Sequence, residues 1–423
     1  MNFPILARAI ISLTLAAGFI SYTGCGNNSV VTPVTTITVN GKTVDQSGNG
    51  VAGVTATING TNTVSASDGS FSIANVTAPY DIKLVQSSGA TPSGFVYLGL
   101  TTAAPSLLTS GLAAPTNTTT LTVNFPALGA NQRALVFFTD NALVETVKNV
   151  TTAGASTTNL TVKWPGDAAI TGKVIVMVYT VSGTDIVSYD KYGEKTGFAL
   201  NNGGSSSTTF TASDLSLNPV EQTVTGTLTA PAGYTNLNSR IALTFRSVSS
   251  ILATSTFATV SGSSYSFVVP TGLPTACKLI IEGSGLGTIA GTITLKSKEV
   301  LPNTTGNSII LNATPLLSTP PNAAVSIDTT TNFVYSPGVT DGVNIVQFTS
   351  PGKSFFVFTS ASNCRIPNLL SSGLGLGSGV ACTWAVANYG SLGMDSFVSG
   401  PLNNNPAFNS AGTSETRTFT STP

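Results

Sequence analysis

Short apolar runs alternate with clusters of Gly, Asn, Ser and Pro along almost the whole chain after residue 35. The runs are rich in Val, Ile, Thr, Phe and Tyr, which is typical of β-strands, and the clusters between them are typical of turns. No window has an apolar stripe with the 3.6-residue period and the capping residues of a helix. The pattern therefore predicts an all-β fold of tandem antiparallel β-sandwiches, because each sheet can bury one face and leave the other in water.

Turn-rich, proline-containing junctions divide the chain into a signal, a tether and four sandwich segments. The predicted bounds are 1–24 for the signal peptide, 25–35 for the tether, and 36–115, 116–219, 220–316 and 317–423 for the sandwiches. The third sandwich is predicted to be a diverged repeat of the first, because its stretch SGSSYSFVV echoes SDGSFSIAN. In the second, the continuously apolar runs ALVFF and KVIVMVY predict buried strands.

Composition excludes several classes of function. The 423 residues are 41% hydrophobic but only 8% charged, with 17 basic and 17 acidic side chains. No basic patch is present, so a nucleic-acid partner is not predicted. The chain has no histidine, which excludes Ser-His-Asp and Cys-His catalysis and the usual catalytic zinc sites. The sequence therefore predicts a protein that is not an enzyme and holds no cofactor or metal.

The N-terminus has the pattern of an export signal. Arg8 is the single charge before a mostly apolar run from Ala9 to Ile20. This run has the length of a signal-peptide core and is too short to span a bilayer. The segment therefore predicts export from the cytoplasm and removal of residues 1–24.

The segment Ser21 to Cys25 resembles the bacterial lipobox, with Tyr22 where that family usually has Leu. The resemblance implies that Cys25 carries a lipid, so that the protein's predicted partner is a membrane. Gly26 rather than Asp follows the cysteine, and by resemblance to Gram-negative lipoproteins this implies the outer membrane. The alternative is an ordinary secretory signal that is cut nearby, with Cys25 an incidental thiol.

The stretch from Ile37 to Val85 carries a dispersed set of turn and core residues. Its positions are Gly41, Val44, Asp45, Gly48, Gly50, Val51, Gly53, Val54, Asp68, Gly69, Phe71, Ile73, Val76 and Tyr80. The stretch resembles the carboxypeptidase regulatory-like domain, which implies a seven-stranded, transthyretin-like sandwich without catalytic residues. The last segment resembles a fibronectin type III or immunoglobulin-like domain.

Three cysteines remain besides Cys25. Cys364 and Cys382 flank the Gly-rich stretch SSGLGLGSGV, and an exported location permits a disulfide between them. We therefore predict that these two cysteines pair. Cys277 alternates with Leu279 and is predicted to point into a core as a small hydrophobe.

Three aromatic residues are candidate ligand contacts. Tyr189 and Tyr192 lie in IVSYDKYGEK, which is predicted to be a solvated loop, and could stack on a sugar. The alternative, which the sequence favours, is that they pack on their own sheet at a strand end. Trp164 is either an exposed carbohydrate platform or, as we favour, a core residue.

The acidic residues allow two further hypotheses, both weaker than their alternatives. Asp185, Asp190 and Glu194 could supply the carboxylate pair of a glycoside hydrolase, but the lysines among them favour a self-neutralising surface loop. Asp45 and Asp68 could share a calcium ion, but two carboxylates are few for a site with six to eight oxygen ligands. They are predicted to be turn formers.

Together these features predict a non-enzymatic, lipid-anchored cell-envelope protein. Its sandwiches would act as a structural, adhesive or ligand-presenting array, with a glycan or a protein as the ligand. The alternative is a carbohydrate-binding surface lipoprotein.

Overall fold

The structure is a computed structural model that describes residues 35–45, 48–87, 92–109, 117–142, 144–164, 166–246, 256–301, 307–390, 392–400 and 410–422. The predicted signal peptide and Cys25 lie outside the described residues. Nearly all the regular structure that is described is β-strand, with one α-helix and one 3₁₀ helix, each a single turn long. The prediction of an all-β, tandem-sandwich fold is therefore confirmed.

Three successive domains are built from seven strands each. Domain 1 contains β1 (Thr36–Val44), β2 (Thr55–Ile58), β3 (Thr61–Val64), β4 (Ser70–Thr77), β5 (Tyr80–Gln86), β6 (Ser93–Leu100) and β7 (Ser106–Leu108). Domain 2 contains β8 (Asn117–Asn124), β9 (Gln132–Thr139), β10 (Glu145–Val150), β11 (Thr157–Trp164), β12 (Ala169–Ser182), β13 (Asp185–Asn201) and β14 (Ser205–Thr209). Domain 3 contains β15 (Val220–Thr229), β16 (Tyr234–Thr244), β17 (Thr256–Ser261), β18 (Ser264–Thr271), β19 (Lys278–Gly287), β20 (Ile293–Val300) and β21 (Asn307–Ile310).

The three domains share one strand order. In each, the first strand lies at the centre of a three-stranded sheet, between the antiparallel fourth strand and the parallel seventh strand. The other four strands follow one another in the order third, second, fifth, sixth. Domain 3 thus has the topology of domain 1, as does domain 2, whose sequence carries no comparable echo.

Glycine allows an aromatic ring to pack over the first strand in domains 1 and 3. Gly41 lies opposite Phe71, and Gly226 lies opposite Tyr265 at the same place in the repeat. A Cβ at either position would overlap the opposing ring. The two similar stretches of sequence therefore correspond to the same packing of an aromatic ring over a glycine in the two cores.

The four-stranded sheet of domain 2 is buried on both faces. Val136 and Phe138 of β9 point into domain 2's own core. Leu135 and Phe137 point the other way and pack against domain 3, where Phe137 meets Phe245 edge to face with ring centroids 5.1 Å apart. Burial on both faces is why this strand is continuously apolar rather than alternating.

Domain 4 contains two sheets and both helices. Its strands are β22 (Leu316–Thr319), β23 (Ala324–Ile327), β24 (Asn332–Ser336), β25 (Val343–Ser350), β26 (Lys353–Thr359), β27 (Asn363–Arg365), β28 (Ala381–Tyr389), β29 (Ser410–Thr413) and β30 (Arg417–Ser421). Its helices are the 3₁₀ turn Leu370–Ser372 and α1 (Met394–Phe397). Strands β22, β24 and β27 form a small sheet, and the others join a much larger one.

That larger sheet runs through domains 3, 4 and 1. Strand β26 pairs in parallel with β6 of domain 1, and β29 pairs with β20 of domain 3. The result is one 14-stranded sheet, in which the last segment of the chain joins the first. These three domains are therefore joined through a common sheet and not only linked end to end.

The sheet between β6 and β26 has a core on each face. On one face Tyr97 stacks on Phe358, with ring centroids 4.1 Å apart, within the core of domain 1. On the other face Phe355 and Val357 join the core of domain 4. Neighbouring residues of a strand point to opposite faces, so β26 supplies both cores.

The structure does not contain the predicted disulfide, and both thiols are free. Cys364 lies on β27 of the small sheet, opposite Phe333, and Cys382 lies on β28 of the large sheet, opposite Phe419. Phe333 and Phe419 meet in the same core, with centroids 5.6 Å apart. Aromatic packing therefore fills the core that contains both cysteines, and the prediction of a pair was wrong.

Candidate binding cleft

All three predicted ligand-contact residues are in the core. Trp164 is 2%, Tyr189 2% and Tyr192 1% exposed. The indole Nε1 of Trp164 donates to the Asp167 carbonyl at 2.8 Å, and the Tyr189 hydroxyl donates to the Val268 carbonyl of domain 3 at 3.0 Å. These rings pack within and between domains, as the favoured alternatives stated, and none has a face open to a sugar.

The charged stretch around the two tyrosines is part of strand β13, so the prediction of a loop was wrong. Asp190 accepts hydrogen bonds from Thr180 Oγ1 at 2.7 Å and Gln132 Nε2 at 2.8 Å. Glu194 accepts from Tyr192 at 2.7 Å and from Thr275 of domain 3 at 2.5 Å. Donors on neighbouring strands and in domain 3 hydrogen-bond to these carboxylates, so the charged stretch can lie within a sheet.

The other acidic candidates form turns. Asp45 accepts from the Asn49 backbone N–H at 2.9 Å, and Asp68 accepts from that of Ser70 at 3.0 Å. Hydrogen bonds from the Ser70 hydroxyl, the largest cause, and from the Ser70 backbone N–H lower the pKa of the Asp68 carboxyl. No group of three or more acids or cysteines that could hold a metal occurs in the described part of the chain.

One cleft, of about 370 Å³, lies where domain 2 meets domain 3, and its charged lining residues are Lys173, Arg246 and Lys278. Its Lys173 lies 3.9 Å from Glu194, and its Lys278 lies 3.7 Å from Glu299. Nearby, the Glu145 carboxylate of domain 2 accepts the Phe245 backbone N–H of domain 3 at 2.8 Å, and burial raises its pKa. The hydrogen bond between Glu145 and Phe245 stabilises the contact between the two domains.

A larger cleft lies on the sheet that domains 1 and 4 share, on the face opposite to the core of domain 1. Its floor is a cross-strand row of side chains, in which each residue lies directly opposite the next: Asn62, Thr57, Lys83, Val96 and Val357. Directly paired residues point to the same face of a sheet. The row therefore runs from β3 at the sheet edge to β26 under the small sheet of domain 4, and changes from polar to apolar along the way.

Domain 4 forms the opposite bank of this cleft. One hollow, of about 650 Å³, lies between β5, β6 and β26 and the strand β27. A second hollow, of about 470 Å³, lies between the β2–β3 turn and the segment around Asn368. Lys83 lines both hollows, so they are adjacent, and together we call them the cleft.

The cleft is rich in amides and carries a small excess of positive charge. Its asparagines are Asn59, Asn62, Asn332, Asn363 and Asn368. Lys83 and Arg365 are exposed cations from opposite banks, and neither forms an ion pair with any described residue. Among the described residues that line it, the single acid is Asp81, which accepts the Gly99 backbone N–H at 2.8 Å.

None of the ligand contacts predicted from the sequence lies in this cleft, although one local signal was present. The Asn59–Gly60 turn has the composition of a tight hairpin, and both residues have positive φ (49° and 83°). Nothing local to Arg365 or Asn368 indicates that they face domain 1, because the parallel pairing of β6 with β26 brings them there.

No family model matches the chain, and no curated protein matches it. Among solved structures, the Bacillus anthracis TIE protein is similar at 12% identity and a TM-score of 0.16. The match covers 65% of this chain and 49% of that protein, so the chain spans about half of its length.

Two further solved structures are similar over most of this chain. The immunoglobulin domains 1–5 of Sidekick-1 match at 11% identity over 92% of this chain and 80% of that one, with a TM-score of 0.13. SGBP-B of a Bacteroides ovatus mixed-linkage glucan utilization locus, in complex with a heptasaccharide, matches at 11% over 88% and 94%, with a TM-score of 0.14. Such low identities and TM-scores carry no argument about what this chain does.

Proposed function

We propose that this chain is a non-enzymatic, lipid-anchored protein of the cell envelope that presents a continuous array of β-sandwiches to an external ligand. The anchor is a lipid on Cys25, and the residues after it tether the array to the membrane. The observation that carries the proposal is the joining of domains 3, 4 and 1 through one sheet, with an open polar cleft on its face.

The chemistry of the chain supports a binding role rather than a catalytic one. Without histidine, the chain lacks the commonest general acid–base residue, and carboxylates are the next candidates. Of the three acids that the sequence singled out, Asp190 is engaged by Thr180 and Gln132, Glu194 is engaged by Tyr192, and Asp185 is exposed at the start of β13. The described helices include none that is long and apolar enough to cross a membrane.

The position of the anchor is part of the same proposal. Cys25 follows an apolar run of signal-peptide length, and Gly26 follows it, as in lipoproteins sent to the outer membrane. We also propose that domain 1 is a carboxypeptidase regulatory-like module, since Phe71 and Ile73, which carried that resemblance, both enter its core.

Metabolic labelling with an alkyne analogue of palmitate tests the anchor. We expect the full chain to be labelled and to fractionate with membranes, whereas Cys25→Ser should lose the label and become soluble. Cys277→Ser is the matched control and should keep it, because Cys277 is a mostly buried core residue. Undiminished labelling of Cys25→Ser would show that the anchor is placed wrongly.

A second pair of variants tests the destination. Gly26→Asp should retain the labelled protein in the inner membrane, and Gly26→Ala should not. Separation of the two membranes by density decides this, and an inner-membrane location for the unaltered chain would contradict the outer-membrane assignment.

A further inference from the structure

We propose that the cleft between domains 1 and 4 binds an acidic polysaccharide, with Lys83 and Arg365 as the residues that hold its carboxylates. The inference deepens the ligand-presenting half of the proposed function and does not depend on the lipid anchor.

The charge of the cleft favours an anionic ligand. Lys83 and Arg365 reach into the cleft from two different domains, and both are exposed. A cation without a protein counter-ion can form charge-assisted hydrogen bonds to a ligand carboxylate, and the planar arginine can do so through two parallel bonds. Asp81 offsets part of this charge, and one of its oxygens is already engaged by the Gly99 N–H at 2.8 Å.

The uncharged groups of the cleft suit a carbohydrate. Asparagine side chains both donate and accept hydrogen bonds, as sugar hydroxyls do, and five of them line the two hollows. Between them the half-buried Leu98 and Pro367 offer a small apolar surface to the C–H groups of a sugar ring. The aromatic rings that usually stack on sugars are absent from the described lining, so hydrogen bonds and charge must supply the affinity.

The backbone of the floor disfavours an extended peptide. Strands β2, β5, β6 and β26 are each hydrogen-bonded to a neighbouring strand on both sides. A peptide that binds by adding a strand needs an unpaired edge, and these four strands offer none; the edge strands that border the cleft are β3 and the short β27, each paired on one side. The length of the cleft across the strands from β3 to β26 instead fits a polymer that lies over the sheet.

Surface plasmon resonance with the full chain in detergent, over immobilised polygalacturonate, alginate and hyaluronan, tests the proposal. We expect binding to at least one polymer at physiological salt and weaker binding as salt rises, because salt screens exposed charges. For polygalacturonate, methyl esterification removes the charge and keeps the sugar, and it should weaken binding at least about tenfold, the cost of one charged hydrogen bond.

Variants assign the binding to the cleft. The pair Lys83→Gln and Arg365→Gln should raise Kd at least about tenfold, a loss of about 1.4 kcal/mol or more. Lys163→Gln, at an exposed lysine on β11 of domain 2, is the matched control and should change Kd less than about twofold, since surface charges away from a site contribute little. Asp81→Asn should tighten binding, because it removes the acid that repels the ligand.

Each contrary outcome overturns the inference. No binding to any of the three polymers excludes an acidic polysaccharide, and unchanged binding by the double variant excludes this cleft. Equal binding of polyglutamate would show that any polyanion suffices, without sugar recognition. Because lipid labelling is read separately, none of these results bears on the Cys25 anchor.

Discussion

Replacement of Gly41 by alanine tests the packing of an aromatic ring over a strand glycine, which domains 1 and 3 share. Gly41 lies in β1 directly opposite Phe71, and the three atoms nearest to a Cβ there would all belong to that ring. Overpacking of a core costs about 1–3 kcal/mol, and alanine in place of a strand glycine returns about 0.5–1 kcal/mol. We therefore expect Gly41→Ala to lower the free energy of unfolding of domain 1 by about 1 kcal/mol, within a range of about 0–2.5 kcal/mol.

A double-mutant cycle separates this overlap from other effects. Phe71→Leu alone should cost about 1 kcal/mol of buried apolar contact. In the double variant the shorter side chain leaves room for the new methyl group, so the loss should fall short of the sum by about 1 kcal/mol, within the range for residues in contact.

Gly226 of domain 3 is the matched comparison. A Cβ there would overlap the backbone carbonyl of Asn307 as well as the Tyr265 ring. The carbonyl is held by the pairing of β15 with β21, so Tyr265→Leu should rescue Gly226→Ala only in part. Hydrogen exchange of peptides from β1 and β15 along a urea titration reports each domain separately. Strictly additive losses at Gly41 and Phe71 would refute the steric argument.

Two other predictions concern buried ionisable groups. Burial raises the pKa of Glu145 in the folded protein, so the folded state binds the proton more tightly than the unfolded state, and stability should fall as pH rises through that pKa. Glu145→Gln keeps an acceptor for the Phe245 N–H and should flatten this fall in melting temperatures measured from pH 4 to pH 8, a range that begins near the usual glutamate pKa of about 4.3 and extends above it; an unchanged slope would contradict it. Burial also raises the pKa of the Cys277 thiol to about 11 and of Cys364 to about 12. A thiol reagent should therefore leave these two and Cys382 unmodified in the native chain and modify all three in denaturant, whereas a disulfide would leave only Cys277 to react.

Local patterning was sufficient for the strands and insufficient for their partners. The alternation that places Phe71 and Ile73 in one core depends on the two-residue period of a strand, which any short stretch reveals. The apolar run of β12 likewise indicated burial, although not that domain 3 would cover its second face. Long-range pairing has no such local signal, because backbone hydrogen bonds are alike at every residue.

The errors have the same origin. Cys364 and Cys382 flank a Gly-rich stretch and lie in one core, but both thiols are free, and the aromatic residues paired with them, Phe333 and Phe419, pack against each other there. The charged stretch of β13 resembles a loop in composition, yet its acids find hydroxyl and amide donors on neighbouring strands and in domain 3. Tertiary partners override composition in both cases.

The pairing of β6 with β26 solves a folding problem and creates the candidate site. Without it, each strand would be an exposed sheet edge, with unpaired backbone groups next to buried rings such as Tyr97 and Phe358. The same pairing brings Arg365 of domain 4 to the cleft that Lys83 of domain 1 lines. Protection of two strand edges and assembly of the cleft thus depend on one set of contacts, so a change that separates domains 1 and 4 should remove binding and expose both edges together.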